Sequence, residues 1–191
     1  MHANPQEVLD FWFGAPGSAE HGTTRALWFT KSDAADDAIR TRFGPTVEAA
    51  LRGELDHWGE DLRSALALIV LLDQFTRNIF RETPRAFAGD AAALALAQRV
   101  VDAGLDRQLS LRERWFVYMP FEHAESLPMQ DRAVALFRRL ADDGLPEPRD
   151  WAIRHRDVVA RFGRFPHRNA ILGRPSTPEE EAFLRTPGSR F

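Results

Sequence analysis

Three phrases of this chain concentrate side chains able to hold charge or move protons. In Leu71-Leu72-Asp73-Gln74-Phe75-Thr76-Arg77-Asn78, an acid and a base stand one helical turn apart. The phrase Tyr118-Met119-Pro120-Phe121-Glu122-His123-Ala124-Glu125 sets two carboxylates at i, i+3 around an imidazole. The third, Arg161-Phe162-Gly163-Arg164-Phe165-Pro166-His167-Arg168-Asn169, is closed by Arg174. Guanidinium forks recognise carboxylates and phosphates bidentately. Arg77, Arg161, Arg164, Arg168 and Arg174, with His167 and Asn169, therefore suit a pocket for an anionic small molecule or a peptide carboxylate, framed by Asp73 and Glu122. Imidazole is easily tuned across neutral pH, so His155 or His123, oriented by Glu122 or Asp73, suits a general base acting on an arginine-held anionic substrate. The same charges also suit a salt-bridge network that ties helices together and leaves exposed faces to a partner protein. A binding module, an enzyme and a structural or interaction protein all fit these residues, and whether the chain is an enzyme stays open at this point.

Other chemistries lack their parts. Cysteine is absent, which removes disulfides, thiolate nucleophiles and Cys-ligated clusters. His123-Ala124-Glu125 matches half of a zinc-deaminase signature whose other half requires cysteines. Glu122, His123, His155 and His167 follow no metal-ligand spacing, and the paired Glu-x-x-His of a di-iron bundle does not occur, so neither a metal nor a cofactor is assigned. Ser110 and Ser126 lie outside any Gly-x-Ser-x-Gly, and there is no phosphate loop or dinucleotide fingerprint. A net charge of -3, from 25 basic and 28 acidic residues, argues against a nucleic-acid partner. Lys31 is the only lysine, so each single arginine carries less information than its charge suggests. No basic and apolar leader opens the chain, and the apolar run from Ala65 to Leu72 is far short of the ~20 residues of a membrane helix. These features predict a cytoplasmic protein that binds neither membrane nor nucleic acid.

Helices must position these groups, because apolar residues recur at spacings of three and four and no segment alternates like a strand. Asn4-Pro5 with Glu7 predicts a capped helix ending at Gly14, and Ser32 caps another that runs to Gly53 with a break or kink at Gly44-Pro45. A long helix is predicted from Asp61 to about Arg81, with Asp73 on its apolar stripe and paired to Arg77 one turn on. Asp90 caps an Ala-rich helix stopped by Gly104; Ser110 and Glu113 cap a helix that kinks or restarts at Pro120. Further helices run from about Pro128 to Asp143 and from Asp150 to Gly163, the latter with His155 on its apolar seam. Thr177-Pro178 with Glu180 opens a last short one. Trp12, Trp28, Trp58, Trp115 and Trp151 fall one per segment and are read as core anchors. A chain of 191 residues buries about 70% of its unfolded surface as one domain, and no linker divides residues 1–191.

Taken together, the three phrases resemble a bacterial family catalogued as a domain of unknown function, number nine-two-four. The resemblance extends from Val8-Leu9-Asp10-Phe11-Trp12-Phe13-Gly14 to the Thr177-Pro178-Glu179-Glu180 cap; departures such as Thr76 and Ala124 spare the charged positions. It implies an all-α array of antiparallel helical hairpins similar to tetratricopeptide folds, and it implies no activity.

Overall fold

The structure is a computed structural model that describes residues 2–189. It is all-α, with no strand among the described residues. Nine α-helices follow one another among them, joined in places by 3₁₀ and π segments: α1 Pro5–Phe13, α2 Asp33–Leu51, α3 Leu62–Ile69, α4 Thr76–Ile79, α5 Asp90–Asp102, α6 Leu111–Glu122, α7 Leu127–Asp142, α8 Arg149–Phe162 and α9 Pro178–Leu184. The capping boxes at Asn4/Glu7, Ser110/Glu113 and Thr177/Glu180 form as their spacing predicts, each side chain satisfying amides that the first helical turn leaves bare. Gly104 and Gly163 end α5 and α8 in the left-handed conformation that glycine adopts without steric cost. No helix is long and apolar enough to cross a membrane.

Both prolines expected to break or kink their helices lie inside continuous ones, Pro45 in α2 and Pro120 in α6, so neither helix breaks there. Packing overrides the local penalty: Phe43 and Val47 on either side of Pro45, and Phe116 and Phe121 around Pro120, are at most 1% exposed. The core is aromatic. Trp12 meets Phe75 and Phe116 edge-on at 5.4 and 5.5 Å, and Trp28 sits 4.8 Å from Phe116, geometries favoured by the ring quadrupoles. Trp28 Nε1 also donates to the Trp12 carbonyl at 2.9 Å, and Arg25 donates to the same carbonyl at 3.0 Å, closing the C-terminus of α1. Four of the five tryptophans anchor this interior as expected. Trp151 does not: it is 48% exposed.

The predicted long helix contains a departure that matters for the site. Between α3 and α4 the backbone widens into a π-helical stretch, Val70–Phe75, whose six residues are all buried. Within it the Leu72 carbonyl accepts from Thr76 Oγ1 at 2.8 Å and the Asp73 carbonyl from Arg77 Nη1 at 2.6 Å, so side chains supply donors where the ladder changes register. α1, α2, α5 and α6 all pack around this rod, while α6, α7 and α8 pack consecutively onto one another. At α5 the N-cap is Gly89, not Asp90, and a Cβ at Gly89 would stand 2.9 Å from Leu72 Cα. The missing side chain lets α5 start directly against the π stretch, and this close approach delivers Asp90 to Arg77.

Candidate functional site

A cleft of about 680 Å³ opens over this junction, bordered by residues of α4, α6, α8 and the turn at Pro166–Arg168. The imidazoles of two carboxylate–imidazole pairs border it side by side. Asp73, fully buried in the π stretch, holds His123 Nδ1 at 2.7 Å. Glu122, 3% exposed at the end of α6, holds His155 Nδ1 at 2.9 Å. The two imidazole rings are 6.4 Å apart. His155 Nδ1 also lies 2.9 Å from the Trp151 carbonyl, which can only accept, so Nδ1 carries the hydrogen and Nε2 is the basic nitrogen of the neutral ring. Asp73 enforces the same tautomer on His123. Burial opposes its charge, but the His123 imidazole and the Arg77 guanidinium outweigh burial and hold the carboxyl below the usual range, with Gln74 Nε2 donating at 2.5 Å.

The ends of the helices are fixed by polar side chains on fixed geometry. Gln130 of α7, completely buried, donates to the carbonyls of Glu122 at 2.6 Å and Ala124 at 2.7 Å, which locks the turn that carries both Glu122 and His123. Asp36 of α2 takes Arg81 bidentately at 2.8 Å and Asn78 at 2.8 Å, tying α2 to the end of the rod. The expected Asp73–Arg77 ion pair is present at 3.4 Å, but the guanidinium fork itself grips Asp90 at 2.8 and 3.0 Å. Arg168 reaches the same Asp90 at 3.3 Å, donates to the His123 carbonyl at 3.0 Å, and lies between the rings of Phe87 and Phe165 at 4.6 and 4.7 Å. Burial and the nearby Arg77 push Arg168 down to about 10, and burial and Arg168 push the neighbouring His167 down to about 3. Exposed Lys31, Glu82 and Glu147 also border the cleft.

The structure thus gathers Asp73, Arg77, Glu122, His123, His167 and Arg168, drawn from all three phrases, with His155 of α8. It sends the remaining residues of the third phrase elsewhere. Arg161 pairs with Glu179 at 2.8 Å, Arg164 chelates Glu180 at 2.6 and 2.8 Å, and Arg174 chelates Glu125 at 2.6 and 2.9 Å. Asn169 joins this network, donating to Glu180 at 3.2 Å and accepting from Arg174 at 3.0 Å. None of these four borders the cleft. Two contributors escape a reading of the sequence. Asp90 looks like an ordinary helix cap, and Phe29 follows a short 3₁₀ segment, Ala26–Trp28, without periodicity. Trp151 had a signal, since it precedes His155 by one turn, but a tryptophan on an apolar seam reads as core. No group of three or more histidines and acids among the described residues is arranged to hold a metal ion.

Fold and cleft together define an all-α protein with two buried carboxylates orienting two imidazoles beside a pair of guanidiniums. The chain belongs to the family described as bacterial protein of unknown function (DUF924), whose model matches residues 8–188. It is similar to the solved structure of a protein of unknown function from Agrobacterium tumefaciens, with 41% identity, 95% of this chain and 96% of that chain covered, and a TM-score of 0.83. No curated protein matches the chain.

Proposed function

We propose that the cleft is an active site in which His123 and His155 serve as a general acid and a general base on one small anionic ligand. One observation carries this reading: two imidazoles border the same cavity, each with Nδ1 within 2.9 Å of a buried carboxylate, hydrogen-bonded to Asp73 in His123 and adjacent to Glu122 in His155. A carboxylate behind an imidazole fixes its tautomer and stabilises the imidazolium formed when Nε2 takes a proton, which is how orienting acids support proton transfer. Arg77 and Arg168 would hold the anionic group and offset charge that develops on it. A second reading keeps the cleft as a binding site without chemistry, and the sharing of one Asp90 by two guanidiniums favours it. The consecutive packing of α6, α7 and α8 supports describing the array as tetratricopeptide-like.

Incubation in D₂O with 2-oxo, 3-hydroxy and enoic acids and their methyl esters, followed by proton NMR, separates the two. Exchange or conversion is expected with the native protein. His155→Gln and His123→Gln should each reduce it by about 10²–10⁴, the usual share of a general acid or base, while ligand-induced thermal stabilisation persists. Stabilisation by these acids with no exchange in any of them would leave the binding reading and remove the catalytic one.

A further inference from the structure

The two ends of the cleft differ in chemistry, and the difference specifies a ligand class for the site proposed above. At the polar end, Arg77 and Arg168 face one carboxylate, Asp90, between them, and Arg77 already occupies both of its oxygens. Asp73, 3.4 Å from Arg77, uses the same oxygen to hold His123. Arg168 is only 7% exposed, yet its Nε has no hydrogen-bond partner. An incompletely paired guanidinium at this depth is costly, and a single additional anion would complete it. Asp73 and Asp90 already balance the charge of the two guanidiniums, so an added group that carries a single charge, a carboxylate, suits the site better than a phosphate dianion.

At the other end the walls are aromatic. Trp115, Met119 and His123 follow at four-residue spacing on α6 and all border the cleft, so this face runs roughly 12 Å from the histidine to the tryptophan at 1.5 Å per residue. Phe29 stacks on Trp115 with centroids 4.9 Å apart but remains 53% exposed, and Trp151, one turn before His155, is 48% exposed. Of the four large apolar side chains left exposed among the described residues, these two border the cleft. Apolar surface kept in water beside a polar pocket marks a place where an apolar group docks.

We propose that the ligand is an amphipathic monocarboxylate. Its carboxylate lies against Arg168 and Arg77, and its alkyl or aryl body extends along α6 to Phe29 and Trp115. The carbons next to the carboxylate then lie beside His123, whose own carbonyl accepts from Arg168. This inference rests on the cleft being the functional site, but its test reads equilibrium binding alone.

Calorimetric titration with acetate, butanoate, hexanoate and octanoate should show affinity rising two- to fourfold per added methylene, near the value for transferring a CH₂ from water. Octan-1-ol and octyl phosphate should each bind at least tenfold more weakly than octanoate. Phe29→Ser and Trp151→Ser, both at exposed side chains, should flatten the chain-length dependence while leaving the melting temperature nearly unchanged. Arg168→Gln should erase the preference for octanoate over octanol; because that variant also breaks the buried pair with Asp90, the same comparison on the native protein decides the point independently. Equal binding of acetate and octanoate, equal binding of octanol and octanoate, tighter binding of octyl phosphate, or no binding by any of them overturns the proposal. Chain-length-dependent binding without deuterium exchange would preserve this inference and remove the acid–base assignment, whereas exchange confined to short acids would do the reverse.

Discussion

Arginines of one phrase divide between two tasks according to which acid each can reach. Arg164 and Arg174 each chelate a glutamate, Glu180 and Glu125, and Glu125 also accepts from the Phe165 amide at 2.8 Å. They fasten the C-terminal segment to α9 and to the turn after α6. Arg168 turns the other way, toward Asp90 and the His123 carbonyl. Its neighbours in sequence give no hint of this, since all these positions are arginines in a Gly/Pro-rich stretch. Arg164→Ala and Arg174→Ala should therefore lower the melting temperature and leave ligand affinity within about twofold, because a severed ion pair outside the cleft acts on the fold alone. Arg168→Gln should lower affinity as well as melting temperature, since Arg168 is buried and paired with Asp90. If Arg164→Ala abolished ligand binding in a calorimetric titration while keeping its melting temperature, the division of labour would be wrong.

Among the elements, the rod from Leu62 to Ile79 decides the most. Its ends were legible: Asp61 accepts from the Ser64 amide as an N-cap at 2.9 Å, and the apolar spacing holds on both sides. The π stretch was not legible, because apolar residues on every side of Val70–Phe75 satisfy helices of either pitch equally well. The Asp73–His123 contact depends on it. Gly89 is the other decisive position, and its backbone φ of -91° is ordinary; its importance lies in proximity to Leu72. Gly89→Ala should force α5 away from the rod, costing about 1–3 kcal/mol as overpacking does. Urea unfolding would measure that cost. The same variant should weaken anion binding, because Asp90 moves with the start of α5; unchanged stability and unchanged binding would mean that the contact relaxes without consequence.

For the whole molecule, three buried or strongly paired groups give acid sensitivity a defined sign. His167 is held down to about 3 from its ordinary 6.5 by burial and by Arg168, so the unfolded chain takes up a proton that the folded chain refuses. Stability is fully present above 6.5 and falls as pH drops from there toward 3, at up to about 1.4 kcal/mol per pH unit. Glu180, lowered from 4.5 to about 2 by Arg164 and by the Thr177 amide, and Asp73, also lowered, add stability that is lost only further down as pH falls through their folded values. Chemical denaturation from pH 8 to pH 3 should thus show a decline beginning near 6.5, and His167→Gln should flatten that first part while leaving the steeper loss below about 4. A native protein equally stable at pH 7 and pH 5 would contradict the burial of a neutral His167. Taken by itself, the sequence determined the all-α class, the capped helix starts other than that of α5, the glycine stops and the burial of Asp73, because these follow from periodicity and from amides that only nearby side chains can satisfy. It also marked the three phrases that carry the chemistry. Tertiary structure alone decided which acid each arginine meets, that Pro45 and Pro120 lie within continuous helices, that Trp151 faces water, and that Asp90 lies between Arg77 and Arg168. Those outcomes depend on distances between segments tens of residues apart, where Coulomb attraction and close packing choose among partners that local sequence leaves equivalent.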